Sequence, residues 1–214
     1  MTADLASRPA RARLLAAAAE LFHGSGIAAT GVDAVLRRAG VSPATMYAHF
    51  AGKDALVAAY LEQRHAEWRR TWDDVLAERT DPVERLLSLF DAVARYRESA
   101  GNRRGCGFLA AATELPSDSA GQQWLDADSR LLTDRLHELA TAAGADDPDD
   151  LAATLLLLYD GVLSGWARAA TTPGLPGDDP LPRARRLAAG WISVAVGRPL
   201  PDRSRPAVRP PSGS

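Results

Sequence analysis

Cysteine is almost missing from this 214-residue sequence: Cys106 stands alone. A single thiol excludes an intramolecular disulfide and fits a reducing compartment. Long apolar runs are missing as well, and none reaches the ~18 residues that a membrane span needs. Residues 1–9 carry no hydrophobic signal region, so a cytoplasmic chain with no membrane partner is expected. Lysine is the third scarcity. Of 25 basic residues, Lys53 is the single lysine and the rest are arginine. With heavy use of alanine, that bias points to a GC-rich genome.

Catalytic equipment is also lacking. His23, His49, His65 and His137 form no pair at metal-ligand spacing. Glu62 and His65 make one Glu-x-x-His, but a di-iron bundle site needs a second copy and two further acids. No Gly-rich phosphate loop or nucleophile elbow is present. Cys106, between Gly105 and Gly107, reads as a small residue at a tight helix start rather than a redox sensor. No enzyme, metal or cofactor is expected.

Helical spacing is what the chain does have. A first helix is expected over 9–23, a long fourth one from residue 52 or 53 to 79, and a fifth from Asp81-Pro82 to 100. A short sixth helix should reach Leu115, and a seventh should run over 119–143. Asp147-Pro148-Asp149-Asp150 starts an eighth helix with a cap, a proline at the first position and acids near the positive pole. Its continuation, LAATLLLLYDGVLSGWARAA, is apolar on nearly every side and must be covered on several faces. After a Pro- and Gly-rich loop at 172–182, a final helix runs through Leu187, Trp191, Val194 and Val196. The fold class is all-α. The charge is uneven along it. Through Lys53 there are six basic residues (Arg8, Arg11, Arg13, Arg37, Arg38, Lys53) and three acids (Asp4, Glu20, Asp33), a balance of +3. The whole chain is −2, so the rest carries −5. A basic head on an acidic body places nucleic-acid contacts near the N-terminus.

The stretch GVDAVLRRAGVSPATMYAHF, residues 31–50, gives that head a shape. Val32, Val35, Leu36 and Ala39 recur at helical spacing, and Gly40 follows where a left-handed cap is needed. Ser42 can cap the next helix and Pro43 suits its first position. Met46 and Phe50 then turn inward, leaving Ala44, Thr45, Ala48 and His49 on a slim polar face. A helix-turn-helix of this form fits a major groove about 12 Å wide.

The run AGVSPATMYAHFAGKDAL resembles the DNA-binding signature of TetR-type transcriptional regulators, matching it at Ala39-Gly40-Val41-Ser42, Thr45, Tyr47, His49-Phe50, Lys53 and Leu56. Upstream, LLAAAAELFHGSGIAATGVDAV is similar too, with Leu21-Phe22 closing an apolar helix and Thr30 preceding the next. Gly31 departs from the family, which often has Ser or Thr there as a cap, and Leu36-Arg37-Arg38 replaces a more usual Ile-Ala and mixed polar residues. The resemblance implies a flexible arm over 1–8, a three-helix DNA-binding domain over 9–53, a helical ligand-binding and dimerisation domain over 54–197 and a tail over 198–214. That tail holds five prolines and little that is apolar, and is expected to be disordered.

The resemblance also implies partners and sites. Double-stranded DNA would meet Tyr47, His49 and Lys53 at phosphates and Ser42, Pro43, Ala44 and Thr45 near the bases, with Thr30 and Gly31 at the start of the preceding helix. A second copy of the chain would pair through the last two helices, giving a homodimeric repressor. A small, mostly apolar effector would release it from a palindromic operator. Large side chains and scattered polar groups between 90 and 166 mark its expected pocket: Phe90, Phe108, Glu114, Trp124, Tyr159, Asp160 and Trp166. Asp160 interrupts an apolar run and needs a partner, such as Arg168 or a residue on another helix. A ligand-independent DNA binder or activator, and a helical small-molecule-binding protein without DNA affinity, remain as alternatives.

Overall fold

Apolar residues at helical spacing account for the elements of the computed structural model, which describes residues 8–100, 107–171 and 179–197. Most of the expected arm, the tail over 198–214, most of the loop at 172–182 and Cys106 lie outside the described residues. The helices are α1 (Ala10–Ser25), α2 (Val32–Ala39), α3 (Pro43–His49), α4 (Lys53–Ala77) and α5 (Pro82–Ala100). Then follow α6 (Gly107–Glu114), α7 (Gln122–Ala143), α8 (Pro148–Thr171) and α9 (Pro180–Ala195). No strand occurs among the described residues.

Their ends follow from local chemistry. Gly40 closes α2 at φ 62°, a left-handed conformation that side chains with a Cβ resist. Asp81 accepts from the amides of Val83 and Glu84, Asp147 from that of Asp150, and Asp179 from that of Leu181. Each aspartate thereby satisfies donors that a helix start leaves open.

Two apolar clusters organise the chain. The first joins α1, α2 and α3 through Leu14, Phe22, Leu36 and Met46 to Leu56, Tyr60 and Leu61 of α4. Phe108, Ala111 and Leu125 from α6 and α7 complete it, so its core extends beyond Lys53 into the body. The second gathers Trp68, Trp72 and Val75 of α4 with Phe90 of α5, Leu136 of α7, Leu155 of α8 and Ile192 of α9. One continuous helix therefore serves both cores. At 25 residues α4 is about 37 Å long, so a tilt at one end is carried to the other. Trp72 sits fully buried and donates its indole N–H to Ser88 at 3.0 Å.

One expectation changes. Helix α7 begins at Gln122 rather than near residue 119, because Ser119 and the amide of Ala120 are turned to bind the Asp54 carboxylate of α4. On α9 Ala184, Ala188 and Ile192 pack inside, while Leu187, Trp191 and Val194, on the helix expected to meet a second copy, are exposed. Small residues lie inside because α9 starts close against α8, where a Cβ on Gly165 would meet Pro180 at 3.0 Å. On α8 the core side chain is Leu155, whereas Leu157 is 72% exposed.

Candidate nucleic-acid interface and effector cavity

The recognition helix α3 is assembled from its cap inward. Ser42 Oγ accepts from the Thr45 amide at 3.2 Å and lies 2.9 Å from the Thr45 hydroxyl, so both hydroxyls are tied to the helix start. Met46 and Phe50 anchor the inner face. The Arg11 guanidinium lies 5.4 Å over the Phe50 ring, and Arg13 donates to the Gly40 carbonyl at 3.3 Å. These contacts hold α1 against the ends of α2 and α3. Its outer side presents Pro43, Ala44, Ala48 and His49, all exposed, with Tyr47 at 59% and Thr45 half-buried at the edge.

Lys53 is the first residue of α4, where its charge adds to the positive pole of the helix. Its ammonium donates to the Ala28 carbonyl at 3.3 Å, on the loop that leads to α2. Gly31 caps α2 with no side-chain hydrogen bond, as its missing side chain requires. Thr30 is a correction. It is buried, and its hydroxyl donates to the carbonyls of Gly26 (2.7 Å) and Leu21 (3.3 Å). That hydroxyl braces the loop from inside and is not presented to phosphate. Of the expected DNA residues, the others except Thr45 and the partly screened Lys53 are exposed.

Below the head lies a two-chambered cavity. One chamber has aromatic walls from Trp68, Tyr96, Phe108, Tyr159 and Trp166, with Arg64 and Arg97 also lining it. The other lies between α6, α7 and α8 and includes Asp128, Ser129, Thr133 and Asp160. Phe108, Asp128, Tyr159 and Leu163 belong to both. Arginine is held there by stacking: Arg97 is 4.1 Å over the Trp166 ring, and Arg64 is 5.7 Å and 5.4 Å over Tyr60 and Tyr96. The Trp166 indole N–H donates to Asp179 at 2.9 Å.

Of the expected effector residues, Phe108, Tyr159, Asp160 and Trp166 line this cavity. Three do not. Phe90 is wholly buried in the body core. Trp124 packs on the head cluster with its ring 5.9 Å from that of His65. Glu114 instead reaches the DNA-binding head, where Oε2 accepts from the Ala28 amide at 2.6 Å. It also crowds Gly26, whose φ of 91° favours glycine and where a Cβ would sit 3.0 Å from Glu114 Oε1. Asp160 is half-buried with its pKa raised by burial, and Arg168 does not relieve it.

Asp128 went unnoticed in the sequence. It is 6% exposed, and burial pushes its carboxyl up to about 7, with the nearby Asp160 adding to the rise and Arg64 opposing it. His65 Nδ1 is 3.6 Å away, and its own pKa is lowered by burial and then by Arg69. A signal existed: Leu125, Asp128 and Leu132 are spaced as one helical face, an acid inside an apolar stripe. Among the described residues no cluster of three metal-binding side chains occurs, and no helix is long and apolar enough to cross a membrane.

Comparison with known proteins agrees with this geometry. Residues 14–60 match the family described as bacterial regulatory proteins, tetR family. The HTH-type transcriptional regulator UidR of Escherichia coli K12 is 37% identical over 57 residues, which is 27% of this chain and only 29% of UidR. YjdC, an HTH-type transcriptional regulator of the same organism, is 30% identical over 160 residues, covering 72% of this chain and 81% of YjdC. Among solved structures, SCO4454, a TetR-family regulator from Streptomyces coelicolor, superimposes with a TM-score of 0.74 at 26% identity. That match covers 87% of this chain and 96% of SCO4454.

Proposed function

The chain belongs to the TetR family of DNA-binding transcriptional regulators, and we propose that it acts as a homodimeric repressor which a small molecule releases from a palindromic operator. The observation that carries this reading is the link from cavity to head. Helix α6 lines the cavity with Phe108, Leu109 and Ala112, and its last residue, Glu114, grips the Ala28 amide. The Ala28 carbonyl in turn receives Lys53. Asp54, next in sequence, holds the turn before α7. An occupant that displaces α6 or α7 therefore moves the loop before α2 and the start of α4 together.

In this reading Tyr47, His49 and Lys53 meet phosphates and set position, while Ala44 and Thr45 meet bases and set sequence. Their methyl groups suit thymine methyls. Pairing of two copies through the outward apolar faces of α8 and α9 doubles the contacts and imposes two-fold symmetry on the site. The effector binds the DNA-incompetent spacing more tightly. A coupling of ~1–3 kcal/mol weakens operator binding ~5–150-fold. Sequencing the fragments that the purified protein retains from genomic DNA of its source tests the reading. It expects a shared inverted repeat; retention of fragments with no common sequence would refute it.

A further inference from the structure

Two features of the cavity have no use within the folded chain. The first is a pair of acids. Asp128 on α7 and Asp160 on α8 both line the second chamber, and no basic side chain lines it among the described residues. Asp128 Oδ1 is buried without a hydrogen-bond partner. A carboxylate in that position loses hydration, which the Arg64 charge and the His65 ring at 3.6 Å offset only in part, and a second acid beside it adds repulsion. The second feature is Trp68, which lines the aromatic chamber at 4% exposure and whose buried indole N–H has no acceptor. An unsatisfied acceptor and an unsatisfied donor thus belong to residues that line adjoining chambers of one cavity.

We propose that the effector is an organic cation, a protonated amine seated between Asp128 and Asp160, with a flat apolar body lying along Trp68, Phe108 and Tyr159. This rests on the reading of the cavity as the effector site and names the chemistry of its occupant. An ammonium supplies the hydrogen bonds and the charge that the two acids lack, and aromatic faces beside it favour a cation further. A ligand that also carries an oxygen acceptor on its body satisfies Trp68. The charged groups around Asp128 are consistent with this. Arg64 and His65 approach it from α4 and Asp160 from α8, while α5 places Arg97 in the aromatic chamber on Trp166. The lining residues of α6, Phe108, Leu109 and Ala112, are apolar. Burial outweighs Arg64, so a proton held by Asp128 near neutral pH is expelled when the amine arrives.

Calorimetry on the full chain without DNA tests the proposal with three matched probes: 1-naphthylmethylamine, 1-naphthylmethanol and 1-naphthoate. The amine is expected to bind at least ~10-fold tighter than the alcohol, as one charge-assisted hydrogen bond provides. Its heat should vary with the ionisation enthalpy of the buffer, reporting proton release. Asp160→Asn and Asp128→Asn should each reduce the preference for the amine, whereas Asp134→Asn, an exposed acid on the same helix, should leave it intact. The amine binding no more tightly than the alcohol or the naphthoate, or failing to bind, overturns the proposal. Amine binding that follows this pattern but leaves operator affinity unchanged upholds the cation site and overturns the effector reading instead.

Discussion

Burial pushes the Asp128 carboxyl up to about 7, and ionising it in the folded chain has a measurable cost to folding. Its folded pKa is about 7 against an ordinary 3.8, so the folded chain holds a proton that the unfolded chain releases between those values. Stability from this group is present below about pH 4 and is lost as pH rises through 7, by an upper limit of ~4 kcal/mol. Asp128→Asn is expected to be more stable than the parent at pH 8 and to lose that advantage near pH 4, as read from urea unfolding at both pH values. Thr30 and Lys53 make a second contrast. Thr30→Val should lower folding stability by ~1 kcal/mol through the lost loop hydrogen bonds while leaving the salt dependence of DNA binding unaltered. Lys53→Ala should do the reverse, reducing the slope of log affinity against log salt by ~0.9 per lost phosphate contact. Binding titrations over a series of salt concentrations separate them; an unchanged slope for Lys53→Ala removes its phosphate role.

At the scale of elements, the short helix α6 is the piece whose role depends most on distant partners. Glu114 lies 86 residues from Ala28 in sequence, yet its carboxylate holds that amide. Glu114→Ala is expected to speed hydrogen exchange at the Ala28 amide by ~10-fold or more, the loss of a charge-assisted bond, while the Met46 and Phe50 amides of α3 keep their protection. Equal exchange at Ala28 in both proteins would break the proposed link. The same residue shows where sequence reading stops. Helix positions were legible because Gly40, Ser42, Asp81 and Asp147 act on neighbours within a few residues. The outer face of α3 was legible for the same reason. The contacts of Glu114, Trp124 and Thr30 are not legible there, because their partners are fixed by packing between elements. On α9 both faces are apolar, so spacing alone could not say that the small side chains turn inward.

At the scale of the whole molecule, the proposed pairing rests on the outward faces of α8 and α9. Leu157 and Val194 are each 72% exposed, with Leu187 and Trp191 beside Val194 on α9. Leu157→Glu and Val194→Glu should weaken self-association by ~100-fold or more, because two-fold symmetry buries each new charge twice. Sedimentation at micromolar concentration would then report folded monomers. Leu155→Glu should instead unfold the chain, since that side chain fills the subunit's own core. A monomeric parent protein would refute the pairing.

Sequence-specific DNA binding by the α3 face is the central claim, and one comparison tests it most directly. Affinity is measured at physiological salt for a duplex carrying the selected inverted repeat and for a duplex of the same composition in shuffled order. The account predicts a preference of ~10³ or more for the repeat, which falls when Thr45 or Ala44 is replaced by a bulky residue. Equal affinity for the two duplexes, or a preference untouched by those replacements, would contradict it.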